Sequence, residues 1–206
     1  MIGIVDYGMG NLRSVLHAFS LLTDDVMICA DPEEVAKLDR VVVPGVGAFG
    51  ECMANLREHG MLDALNEAVL QRRRPTLGIC LGMQAMARSS EEGQTRHQGL
   101  GWFEADVIKL APRDSSLRIP HVGWNDLTLA TPCPLFRGVP KHPDFYFVHS
   151  FWMRCDRPQD VAATFDYGGD FTAAICKDNI FATQFHPEKS QDHGLKVLEN
   201  FLDWNP

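Results

Sequence analysis

Residues 75–88 read Pro75-Thr76-Leu77-Gly78-Ile79-Cys80-Leu81-Gly82-Met83-Gln84-Ala85-Met86-Ala87-Arg88. A strand-like run, Pro75–Cys80, meets a helix-like run that begins at Leu81, and Gly78-Ile79-Cys80-Leu81-Gly82 lies at the junction. This Gly-x-Cys-x-Gly has the pattern of a nucleophile elbow with cysteine in place of serine. Such a turn is strained and pushes its central side chain out of the sheet. Residues two before and two after it come too close to carry a Cβ comfortably. The turn would aim Cys80 at a helix N-terminus, where the dipole and free N–H groups favour thiolate. The Leu81 N–H would be placed to receive an oxyanion. A buried structural cysteine with glycines for close packing has the same spelling, so the decision rests on partners elsewhere in the chain.

Upstream of the elbow, strands and helices alternate. Strands are expected at Ile2–Asp6, Val26–Ala30 and Arg40–Pro44. Asn11–Leu22 carries a helical stripe of Leu12, Val15, Leu16, Phe19 and Leu22. Asp31 before Pro32 is a helix start, and Glu51–Gln71 reads as a helix interrupted near Gly60. Units of this kind build a parallel sheet covered on both faces. Downstream, strands are expected at Gly101–Leu110, Asp126–Leu129, Phe145–His149, Val161–Phe165, Phe171–Cys176 and Ile180–Phe185, before a last helix, Gln191–Trp204. Spacings as short as Cys176 to Ile180 imply hairpins, hence antiparallel additions to a mainly parallel, mixed sheet. With no long linker or repeat, residues 1–206 are expected to form a single α/β domain.

An activated thiol needs a base, and the base needs an orienting acceptor. Of the eight histidines, His17, His59, His97, His142 and His193 read as surface residues. His186 differs: it ends the apolar strand Asn179–Phe185 and precedes Pro187, which cannot continue a ladder. In extended chain, residues i and i+2 project to one side, so Glu188 can hold one ring nitrogen while the other faces Cys80. A strand-end histidine beside an acid is usually structural. Two features at the carboxyl ends of strands reinforce each other, because open α/β sheets bind ligands at that edge.

The stretch Val41–Gly50, VVVPGVGAFG, spells Gly-x-Gly-x-x-Gly after a strand and raises a rival reading, a dinucleotide-binding turn. That fingerprint normally follows the first strand and needs an acidic residue at the tip of the next. Here it follows the third, and the next strand ends in Cys80.

Bulk composition excludes other classes. Hydrophobic residues make up 45% and charged residues 22%, ordinary values for a soluble domain. A net charge of −8 argues against nucleic acid, and Arg72-Arg73-Arg74 reads as a solvated helix end. Apolar runs fall far short of the roughly 20 residues of a membrane span. The N-terminus MIGIVDYG opens on a strand-like run without a charged leader region, so a cytoplasmic location is expected. Cys29, Cys52, Cys80, Cys133, Cys155 and Cys176 have neither C-x-x-C nor zinc spacing, and no disulfide framework, metal or cofactor is expected.

Together, PGVG (44–47), GICLGMQ (78–84) and QFHPEKS (184–190) closely resemble the class I (triad) glutamine amidotransferases. These hydrolyse glutamine and pass ammonia to a synthase. The resemblance implies their three-layer α/β/α, flavodoxin-like fold. It implies catalysis by Cys80, His186 and Glu188, and an oxyanion hole at Val46, Gly47 and Leu81, in which the Val46 N–H joins that of Leu81. Glycines flanking Val46, Gly47 among them, would make a peptide flip there cheap. Gln84 would contact the bound glutamine. The segment His149-Ser150-Phe151 would hold its amino-acid end, largely by backbone; His149 alternatively only packs or caps a strand.

Three further motifs, DYGMGNLRSV (6–15), PHVGWN (120–125) and FYFVHSF (145–151), resemble the glutaminase subunits of imidazole glycerol phosphate synthases. That resemblance implies a heterodimer with a separate (β/α)8-barrel cyclase of histidine biosynthesis. Asn11, Trp124, Tyr146 and Lys189 would lie towards the cyclase. The plainer readings are a core aromatic for Trp124 and a solvated lysine for Lys189. Rivals within the fold are a γ-glutamyl cysteine hydrolase and a paralogous subunit feeding another synthase, for example in amidino-sugar synthesis. An inert regulatory subunit is a further rival, and the intact Cys80, His186 and Glu188 argue against it.

Overall fold

Three successive valines, Val41–Val43, are all fully buried, so the strand that carries them is covered on both faces. A computed structural model describes residues 1–206. The first half runs β1 (Ile2–Val5), α1 (Leu12–Ser20), β2 (Val26–Cys29), α2 (Pro32–Val35), β3 (Arg40–Gly45), α3 (Phe49–Glu58), α4 (Met61–Asn66), β4 (Thr76–Cys80) and α5 (Leu81–Ala85). Then come β5 (Ser89–Ser90), β6 (His97–Gln98), β7 (Ala105–Lys109), β8 (His121–Asp126) and β9 (Thr128–Leu129). The chain finishes with β10 (Asp144–His149), β11 (Phe151–Cys155), β12 (Val161–Asp166), β13 (Asp170–Lys177), β14 (Ile180–Thr183) and α6 (Gln191–Asp203).

The main sheet has the order β2-β1-β3-β4-β14-β13-β12-β9. From β2 to β14 every pairing is parallel; β13, β12 and β9 add antiparallel strands. Two core clusters flank it. One takes Val41 and Val43 with Phe49, Leu56 and Leu65; the other takes Val42, Leu77 and Ile79 with Phe19, Leu198 and Phe201. Alternate strand residues thus feed opposite layers, α3 and α4 on one side and α1 and α6 on the other. This is the expected α/β/α sandwich with a mixed, mainly parallel sheet. No helix is long and apolar enough to cross a membrane.

Register decides what meets at the sheet edge. Gly45 pairs with Cys80, and Thr183 pairs with Ile79. The Gly-rich turn after β3, the elbow after β4 and the His186 segment after β14 therefore share one carboxyl edge.

Several element boundaries differ from the sequence expectation. Asp31 caps α2 as expected, its Oδ1 accepting from the Glu33 N–H at 2.9 Å, but the helix lasts a single turn. The long helix breaks at Gly60, which is left-handed (φ 69°), and ends in a wide π turn over Glu67–Gln71. Within Gly101–Leu110 only β7 pairs, and Ile180–Phe185 pairs only to Thr183. The expected Asp126–Leu129 strand divides: Asp126 ends β8, and β9 is two residues long. The strands β5, β6, β8 and β11 were not expected. They belong to two side sheets, β10-β8 and β11-β7-β5-β6.

Candidate active site

Cys80 sits between β4 and α5 at φ 54°, ψ −108°, a conformation an L-residue holds only under constraint. The flanking glycines supply that constraint. A Cβ on Gly82 would lie 1.8 Å from the Val43 carbonyl oxygen, and one on Gly78 would lie 2.9 Å from Ala182 Cβ. Crowding on both sides, by backbone at Gly82 and mainly by side chains at Gly78, holds the turn, as the elbow reading requires. The thiol opens on a cavity of about 360 Å³, which suits a small ligand.

His186 lines the same cavity and is 1% exposed. Its Nδ1 lies 2.7 Å from Glu188 Oε1. That contact arises differently from the expectation: His186 is extended, but Pro187–Lys189 form a 3-10 turn that swings the carboxylate back to the ring. Nε2 is buried with no hydrogen-bond partner. Burial opposes the imidazolium. Cys80 and Glu188 outweigh it and raise the His186 pKa to about 9. At neutral pH the ring carries a proton that it can give to a leaving group in the cavity.

Beside the elbow, Val46 and Gly47 line the cavity. The two glycines of this turn serve different ends. Gly47 is left-handed at φ 106°, whereas Gly45 lacks a positive φ. Gly45 is there for space: a Cβ on it would lie 2.7 Å from Tyr7 Oη and 2.9 Å from the Gly82 nitrogen. The expectation of two conformationally free glycines around Val46 is therefore corrected to one. Leu81, Gln84, His149, Ser150 and Phe151 complete the expected lining.

Gln84 has little left for a ligand. Its Nε2 donates to the Phe151 carbonyl (3.0 Å) and to Gln184 Oε1 (2.9 Å), which leaves only its Oε1. His149 both packs and lines. Its Nδ1 donates to the Phe151 carbonyl at 2.8 Å, because a carbonyl can only accept. Its Nε2 therefore carries a lone pair and accepts from His121 Nδ1 at 3.1 Å. Burial lowers both imidazoles to about 4 and keeps them neutral.

The residues expected to face a partner divide. Trp124 is 45% exposed, which excludes the core reading. Its ring lies 6.1 Å from that of Tyr146, and Lys189 Nζ lies 5.8 Å from the Tyr146 ring centre. Exposed Val122 extends this patch along β8. Asn11 is the N-cap of α1 and makes no side-chain capping bond.

A model of the family Glutamine amidotransferase class-I matches residues 3–204. The chain is 48% identical over 202 residues to the imidazole glycerol phosphate synthase subunit HisH 1 of Campylobacter jejuni (strain RM1221), covering 98% of this chain and 99% of that one. It is 46% identical over 215 residues to subunit HisH of Brucella abortus (strain 2308), covering 100% and 99%. The chain belongs to the HisH branch of the class I glutamine amidotransferases. Solved structures carry the same fold. A glutamine amidotransferase crystal structure superposes with TM-score 0.76 at 21% identity, over 98% of this chain and 97% of that one. The structure of PurLQS from Thermotoga maritima gives 0.75 at 17%, with the same coverage.

Three polar groups of this glutamine amidotransferase escaped the sequence reading. Glu92 lines the cavity, and its Oε2 accepts from the Phe49 N–H at 2.8 Å, tying the end of the Gly-rich turn to the far wall. In sequence it is one acid in a polar loop. Gln184 reaches Cys80, and His121 reaches His149, each through a contact between segments distant in sequence. Only the cross-strand pairing of β8 with β10 could have revealed the second, and β8 itself was missed.

Proposed function

We propose that this chain is the glutaminase subunit of an imidazole glycerol phosphate synthase. It hydrolyses glutamine to glutamate and ammonia and delivers the ammonia to a separate (β/α)8-barrel cyclase of histidine biosynthesis. The observation that carries the chemistry is one constellation: a thiol on a strained elbow, facing an imidazole whose Nε2 is free and whose Nδ1 is pinned 2.7 Å from a buried carboxylate. Subunit HisH relatives of nearly equal length, at 43–48% identity, support the choice of synthase and of partner.

Cys80 Sγ attacks the side-chain amide carbon of glutamine, and the carbonyl oxygen takes up negative charge. The N–H groups of Val46 and Leu81 receive that charge. His186 protonates the amide nitrogen, the C–N bond breaks and ammonia departs, leaving a γ-glutamyl thioester. Water then attacks the thioester carbon as His186 takes its proton. The C–S bond breaks and glutamate leaves. Glu188 fixes the ring and favours the imidazolium. Glu92 offers a carboxylate to the α-ammonium of the substrate, with Gln84 Oε1 and the 149–151 backbone beside it. The exposed Trp124 and the half-buried Tyr146 against it, with Lys189 and Asn11, meet the cyclase. The whole chain acts as one domain, in the cytoplasm.

Cys80→Ala separates the two half-reactions. In complex with the cyclase, the variant is expected to lose glutamine-dependent synthesis and to keep synthesis from added ammonium salts. Retained glutamine hydrolysis by the variant would remove Cys80 from its role.

A further inference from the structure

We propose that the Gln184 side-chain amide is a catalytic hydrogen-bond donor to the Cys80 sulfur, with its direction fixed by Gln84 and the Phe151 carbonyl. Gln184 is fully buried and follows β14, two residues before His186. Its Nε2 lies 3.6 Å from Cys80 Sγ, within hydrogen-bonding range for sulfur. Its backbone N–H is held by the Ala173 carbonyl at 2.8 Å, so the side chain starts from a fixed point. The proposal rests on the glutaminase reading and adds a residue to it.

The direction of the amide decides the chemistry, because the oxygen and nitrogen of a glutamine exchange places at no steric cost. Here one atom with no choice settles it. The Phe151 carbonyl can only accept, so the Gln84 group 3.0 Å from it is the NH2. The same NH2 lies 2.9 Å from the Gln184 amide, so the Gln184 atom it meets is the oxygen. The atom left facing sulfur is then the Gln184 NH2. His149 reinforces the anchor by donating to the same carbonyl at 2.8 Å.

A fixed N–H donor favours sulfur when sulfur is negative and does nothing for a thioester. Its effect is therefore felt twice: in the thiolate that attacks the amide carbon, and in the thiolate that leaves when water cleaves the thioester. The thiol form has another partner, the Val148 carbonyl, 4.0 Å from Sγ. The two contacts sort the protonation states of one atom: the carbonyl accepts from S–H, and the amide donates to S⁻. Gln84 thereby gains a second task, as the positioning residue for Gln184.

The test uses the full chain and two substitutions. Gln184→Glu keeps the shape and still accepts from Gln84, but offers no N–H to sulfur. Gln184→Met keeps the approximate size and removes the donor without adding charge. With folding checked by circular dichroism, Cys80 alkylation by iodoacetamide at pH 7 should slow about 10- to 100-fold in each folded variant, the range for a hydrogen bond to a charged group. In complex with the cyclase, kcat for glutamine should fall by a similar factor with KM little changed. Wild-type alkylation in either folded variant would overturn the assignment. Wild-type enzyme that alkylates readily yet never hydrolyses glutamine would overturn the glutaminase reading and leave the Gln184–Cys80 bond standing.

Discussion

Cys80 keeps a positive φ because its neighbours leave no alternative, and this makes the elbow brittle. Gly82→Ala would drive a Cβ to 1.8 Å from a backbone oxygen that no rotamer change can move. A loss of stability of about 3 kcal/mol or more is expected, at or above the top of the range for overpacked cores. Urea unfolding measures it, and a loss under about 1 kcal/mol would show that the elbow is not held by this contact. Glu188→Gln acts on chemistry instead. It removes the charge that favours the His186 imidazolium, so kcat should drop about 100-fold or more, and the alkaline limb of the pH–rate profile should move to lower pH. An unmoved alkaline limb would detach Glu188 from the ring. At this scale the sequence was legible where function is spelled locally. Cys80 lies between its glycines, and His186 and Glu188 lie two apart. It was silent on Glu92, His121 and Gln184, because the partners of each lie on segments far away in the chain.

Among the elements, the ribbon of β8 and β10 carries both a wall of the cavity and the aromatic patch. Its cross-strand partners include His121 with His149 and Trp124 with Tyr146. β8 was missed for a physical reason. Its apolar residues Val122 and Trp124 face out and its histidine faces in, the reverse of the pattern by which a strand is recognised. β11 was missed because a single residue, Ser150, separates it from β10. Strands β1, β3 and β4 were legible because a doubly covered parallel strand is apolar throughout. Trp124→Ala tests the exposed face: cyclase affinity should weaken by about 2 kcal/mol, roughly 30-fold in Kd, with the melting temperature of the free chain unchanged. Calorimetric titration measures this, and an unchanged Kd would move the interface away from the ribbon.

For the molecule as a whole, the neutral pair His121 and His149 sets an acid limit. Both rings titrate near 4 in the fold, below the ordinary value of 6.5. Between those pH values the unfolded chain binds protons that the folded chain refuses, so stability falls as pH falls. His149 alone contributes a slope of at most about 1.4 kcal/mol per pH unit. His149→Gln should flatten the dependence in urea unfolding between pH 7 and 4.5, and equal slopes for variant and wild type would refute it. The sandwich was foreseeable from strand–helix alternation. The order of its strands was not, since a single sequence has no term for which distant strands pair. That order has a further consequence. β14 lies beside β4 although about a hundred residues of chain separate them. A ribosome therefore delivers Cys80 long before His186, and on the proposed mechanism a nascent chain cut short before residue 180 would release no ammonia.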